Sequence, residues 1–112
     1  MDEINKDIFR DFKKHIQTKG FKLDEASETS IRGIIRHDFW IHLFYDFSYY
    51  EYILNITLDG HQHINFFFNI EDNIIKVRKI YSRNNDLDGK PIIFNNIMEI
   101  INYTNDNTEL NI

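Results

Sequence analysis

Cysteine is absent from the 112 residues, proline occurs once, tryptophan once and glycine four times. Without cysteine there is no disulfide framework, no thiolate zinc site and no cysteine nucleophile. The glycines, at 20, 33, 60 and 89, form no phosphate-cradling loop, and Ser27, Ser30, Ser48 and Ser82 sit in no Gly-x-Ser-x-Gly elbow. No apolar run approaches the ~20 residues that span a bilayer. The first seven residues are acidic and polar, unlike a leader. These absences set the expectations of a cytoplasmic location, no membrane partner, no cofactor and no recognisable enzyme chemistry.

Isoleucine and asparagine are abundant, at 20 and 13 residues, with 10 Phe and 6 Tyr. The Ile and Asn excess suits an AT-rich source such as a low-GC bacterium, phage or mobile element. Apolar residues make up 42% and charged residues 28%, the balance of a globular domain. Eighteen acids against thirteen Lys and Arg give a net charge of −5. That balance disfavours nucleic acid, whose affinity comes largely from neutralised phosphates.

Residues 2–19 read as an amphipathic helix, with Ile4, Ile8, Phe12 and Ile16 recurring every four residues. Gly20 stops it, and residues 22–28 read as a loop. The period then falls to two, predicting strands over 30–36, 39–47, 50–58, 62–70 and 74–82. Their short separators make an antiparallel meander. Pairings that sum to 97, 120 and 145 place Ile41, Leu43, Tyr45, Tyr52, Leu54, Ile56, Ile64, Phe66, Phe68, Ile75 and Val77 on one face, with Tyr81 a candidate for the same face. The 120 pairing calls for a three-residue loop, Asp59-Gly60-His61, instead of a tight Asp-Gly turn. A second helix is predicted over 90–103, with Pro91 in its first turn. The expected architecture is an α+β two-layer sandwich: N-terminal helix, five-stranded antiparallel meander, C-terminal helix. Residues 1–104 form one domain on this reading, and 105–112 a polar, frayed tail.

Both helices are needed on the first face. The second face then carries Trp40, Phe44, Ile53, Phe67, Ile74 and Ile80, joined by Ile31 and Ile35 if residue 36 pairs with 39. Polar neighbours are His42, Asn55, Thr57, His63, Asn65, Lys76 and Arg78. Such an apolar strip with a polar rim marks an interaction surface. Trp40, Phe44, Ile53 and Phe67 are the expected anchors, with Asp46 and Glu51 at the rim.

His61 and His63 are too poorly placed relative to His42 for joint metal ligation, so no metal site is assigned. Arg32 and Arg36 on one edge, and Lys76, Arg78, Lys79 and Arg83 on the other, guard strand edges. The expectation is a small acidic inhibitor or adaptor that binds another protein. An immunity protein, or a phage or mobile-element anti-defence inhibitor, would occlude a toxin, nuclease or defence effector at its active site or substrate channel. A second copy of the chain is the other partner of this kind. The alternative is a small-ligand or nucleotide-binding module, dimeric in one form, with a cup lined by Trp40, His42, His63, Asn55 and Asn65. A small hydrolase with a histidine general base comes third.

Overall fold

The computed structural model describes residues 4–82 and 92–112. Helix α1 (Lys6–Thr18) is followed by seven strands among these residues: β1 (Lys22–Ala26), β2 (Ser30–Arg36), β3 (Phe39–Asp46), β4 (Glu51–Leu58), β5 (His61–Glu71), β6 (Ile74–Ser82) and β7 (Ile92–Phe94). Helix α2 (Ile97–Asn107) completes the α+β fold. The strands lie in sequence order in one antiparallel sheet.

Asn5 caps α1 by accepting from the Asp7 and Ile8 amides. The far end closes with the Gly20 N–H on the Gln17 carbonyl and the Phe21 N–H on the Ile16 carbonyl. Gly20 has φ 91°, which a side chain would strain. The motif clamps Phe21 beside Ile16, and both press on Gly33 of β2. Ile8, Phe9, Phe12 and Ile16 are buried against the sheet. In α2, Ile97, Ile100, Ile101 and Thr104 are buried, so both helices cover the same face.

The expected core face is present, with Ile41, Leu43, Leu54, Ile56, Ile64, Phe66 and Phe68 fully buried. Two strands are additional. β1 was expected as loop, because it is mostly exposed and offers Leu23 as its only large apolar residue. β7 falls inside the stretch expected as helix. The Asn96 side chain caps the Glu99 amide, while the Glu99 carboxylate accepts from the Asn95 N–H, so the helix begins at Ile97. The expected start at Lys90 and Pro91 lies outside the described residues.

Three bulges correct the register. At Ile35 the β2–β3 pairing shifts, which sends Ile31 into the core instead of the second face. At His63 the shift allows the tight Asp59-Gly60 turn that was expected to be a three-residue loop. Both turn residues have positive φ, as a type I′ turn requires. At Arg78 the shift pairs Phe66 with Ile80. Ile80 is thus 2% exposed in the core, and Tyr81 is 41% exposed on the second face, the reverse of their expected places. The expected frayed tail is also corrected. Asn105 donates to the Ile112 carbonyl and accepts from its amide, and Leu110 and Ile112 are buried.

Candidate functional site

The face opposite the helices is built in cross-strand rows. One runs Ser30, Phe44, Ile53, Phe67, Lys79. The next runs Glu25, Arg32, His42, Asn55, Asn65, Tyr81. A third runs Lys22, Ile34, Trp40, Thr57, Gln62. Antiparallel pairing with alternating side chains places these residues on one surface. A polar row therefore separates two rows that carry the apolar groups.

Trp40, Phe44, Ile53 and Phe67 are together on this face, as expected, but each is half-buried. Cations account for much of the cover. The Arg32 guanidinium lies 5.3 Å from the Trp40 ring centroid, and that of Arg78 5.4 Å from Phe67. The His42 ring packs 4.5 Å from Phe44. The surface is an array of rings capped by polar groups, not a bare apolar strip.

Glu51 is not a rim residue. It is 7% exposed and takes a bidentate pair from Arg78 at 2.8 Å for both bonds. Asp46 lies opposite Glu51 in register, but its Oδ1 accepts from the Ser48 and Tyr49 amides at the turn.

The polar row is internally bonded. Asn55 donates to Asn65 at 2.6 Å, Asn65 to Gln62 at 3.2 Å, and Thr57 to Asn55 at 3.1 Å. His42 meets the Ser30 hydroxyl at 2.7 Å and the Glu25 carboxylate at 3.5 Å. Sequence reasoning missed Glu25, because β1 carries too little apolar pattern to reveal that it pairs there, and Ser30, because the Ile35 bulge moves it opposite Phe44 and onto the face of His42. Both oxygens approach the same ring nitrogen, Nε2. A serine hydrolase triad needs the carboxylate on the opposite nitrogen, so that the base is oriented while Nε2 takes the serine proton. Burial holds the His42 pKa below the usual value, assisted by Arg32 and opposed by Glu25 and Asp24. Its histidine is thus kept neutral at neutral pH.

His63 leaves the site. The bulge turns it from the second face, and its Nε2 lies 3.2 Å from Glu109 beyond α2. The cup of Trp40, His42, His63, Asn55 and Asn65 is therefore not assembled. Among the described residues no three His, Asp or Glu side chains gather as metal ligands. Clefts do lie elsewhere, one between α1 and β2 along Phe9, Arg10 and Ile31, another beside Asn5, Tyr52 and Ile70.

The most exposed aromatic residues are at the β3–β4 turn, which sequence reasoning assigned to strand ends and a bare connector. Phe47, Tyr49 and Tyr50 are 57%, 77% and 62% exposed. The in-register Asp46–Glu51 pair makes residues 47–50 a four-residue loop. Tyr50 has φ 55°, a left-handed conformation that costs an L side chain about 1–2 kcal/mol.

Comparison with known protein families, curated proteins and solved structures returns no match to this chain. No described helix is long and apolar enough to cross a membrane.

Proposed function

We propose that the chain is a small protein-binding inhibitor or adaptor whose working surface is the open sheet face. The observation that carries this reading is the placement of both helices on one side of the sheet. Trp40, Phe44, Ile53 and Phe67 stay outside the core, on a face that no described helix covers. Trp and Arg supply much of the anchoring energy at protein interfaces, and here Trp40 and Arg32 occur as a contacting pair. A small-ligand site fits less well. Asn55 and Asn65 bond to one another and to Thr57 and Gln62, and the proposed cup loses His63. Small-molecule sites are usually concave, with polar groups left to meet the ligand.

By analogy of size, acidity and composition, the inhibitor is of the immunity or anti-defence kind, acting inside the cell. It would occlude the active site or substrate channel of a toxin, nuclease or other effector. The test is affinity capture from the native host with the wild type and a Trp40→Ala/Phe44→Ala variant, followed by activity assays on the protein retained. The wild type should bind and inhibit it. The variant should lose at least about 2 kcal/mol of binding, or some thirtyfold in affinity. Arg32→Glu, which leaves the rings in place, should weaken the complex without unfolding the chain. Retained affinity in both variants would reject the face as the working surface.

A further inference from the structure

The turn at residues 47–50 breaks a local rule that the other turns obey. Four described non-glycine residues have positive φ: Tyr50, Asp59, Asp72 and Asn73. Asp and Asn tolerate that conformation, because their short polar groups bond locally, whereas a bulky ring does not. The Tyr50 ring is exposed, so packing offers little to offset the strain. Strain of this kind collects at functional sites. The neighbouring turns at the same end, 27–29 and 72–73, are wholly polar.

The tip is also held in place. Asp46 Oδ1 fixes the Ser48 and Tyr49 amides at 2.9 and 3.3 Å. Phe47 packs edge-on to Tyr45 at 5.0 Å, Tyr45 to Tyr52 at 4.9 Å, and Tyr52 stacks on buried Phe68 at 5.4 Å. An aromatic column thus runs from the core to the exposed Phe47 ring, which lowers the ordering cost of binding there.

Charge selects the occupant. Glu28, Asp46, Glu71 and Asp72 lie at this end of the sheet. The nearby cations Lys6, Lys76 and Arg78 pair with Glu28, Glu71 and Glu51, so the acidic excess at this end rests on Asp46 and Asp72. An acidic rim is repelled by an anionic lipid surface and by the same tip on a second copy. It attracts a basic one.

We infer that residues 47–50 form a docking tip that inserts Phe47, Tyr49 and Tyr50 into an apolar pocket rimmed by basic side chains on a partner protein. This rests on the protein-binding reading above, and adds a second contact to the sheet face.

A photo-crosslinking residue placed at Tyr49 of the full chain, with one at Lys13 on α1 as control, identifies the protein touched in the native host. Its affinity is then measured for the wild type, Tyr49→Ala/Tyr50→Ala, Tyr50→Asn and Trp40→Ala/Phe44→Ala, at low and high salt. The expected result is a crosslink from Tyr49 and not from Lys13, and binding weakened by salt. Tyr49→Ala/Tyr50→Ala should weaken it about tenfold or more. Tyr50→Asn should weaken binding while leaving the melting temperature level or higher, which separates lost contact from lost fold. The inference fails if no protein is crosslinked, or if affinity is unchanged in both tip variants. It also fails if the tip instead drives self-association in sedimentation, or binding to phosphatidylcholine–phosphatidylglycerol vesicles. Loss of binding in the sheet-face variant alone rejects the tip and leaves the face standing. Loss in the tip variants alone does the reverse.

Discussion

Gly33→Ala tests how the helical layer is seated on the sheet. A Cβ at this position would lie 2.8 Å from Ile16 Cδ1 and 3.0 Å from Phe21 Cβ. The Ile16 tip is the end of a side chain, but it is fully buried, with little room to turn. Phe21 Cβ is fixed by its own backbone, whose N–H bonds the Ile16 carbonyl at 3.1 Å. Overpacking of this kind costs about 1–3 kcal/mol. Alanine recovers about 0.4–1 kcal/mol by restricting the unfolded chain. The net loss should be about 1–2 kcal/mol, or roughly 4–8 °C in melting temperature at this chain length. Ile16→Val deletes the atom in closest conflict and alone costs about 0.5–1.5 kcal/mol. The double variant should therefore be more stable than the sum of the two losses by about 0.5 kcal/mol or more. Urea denaturation with unchanged m-values gives all three numbers. A Gly33→Ala protein as stable as the wild type, or strict additivity in the double variant, would refute the claim that α1 sits on β2 through this glycine.

Two further predictions concern the open face. Arg78→Ala should cost about 1–2 kcal/mol, because it strands the buried Glu51 carboxylate. This is less than the ~3–5 kcal/mol of a fully buried pair, since the guanidinium side is largely exposed. Adding Glu51→Gln should restore part of the loss in denaturant titration; a further loss would show that the charge is not what matters. His42 titrates below its ordinary value of about 6.5, chiefly because of burial, so the unfolded chain binds its proton first. Its contribution is complete above that value and is lost as pH falls below it. His15 adds to the trend, lowered by burial and by Lys19. Melting temperatures from about pH 7 to about pH 5.5 should fall more steeply in the wild type than in His42→Gln. Parallel curves would remove His42 from the account.

The meander was legible because alternation constrains it at many positions. Tyr45 opposite Tyr52, Leu54 opposite Phe66 and Ile70 opposite Ile75 all stand as the pattern requires. The bulges were not legible. One extra residue at Ile35, His63 or Arg78 leaves the alternation intact on either side and changes only which face is joined to which. The edge strands escaped for different reasons. β1 is mostly exposed and so has no two-residue period, while the Ile-Ile-Phe of β7 is too short to tell from a helical stripe. The ends of the chain show the same limit. Leu110 and Ile112 look like two isolated apolar residues in a polar stretch until the Asn105 amide closes the backbone onto them.

The bulges also decide what kind of surface is left. Each one exchanges residues between the faces: Ile80 for Tyr81 at Arg78, and His63 out of the polar row. With Ile31 and Ile80 gone inward, the second face holds too few bare apolar atoms to bind by burial alone. Its rings are already partly desolvated by Arg32, His42 and Arg78. A partner docking there must satisfy those cations and respect the Glu51–Arg78 pair, because stranding the buried Glu51 carboxylate costs about 1–2 kcal/mol even with the guanidinium largely exposed. Such a surface anchors through capped rings and discriminates through the charges that cap them. The 47–50 turn has the opposite character, with bare rings on a fixed support and a small footprint. On the proposed binding mode, the turn adds apolar attraction to that of the face, and the charges of the face supply specificity. Sheet-face charge variants should then alter which proteins are bound, while tip variants lower affinity for all of them.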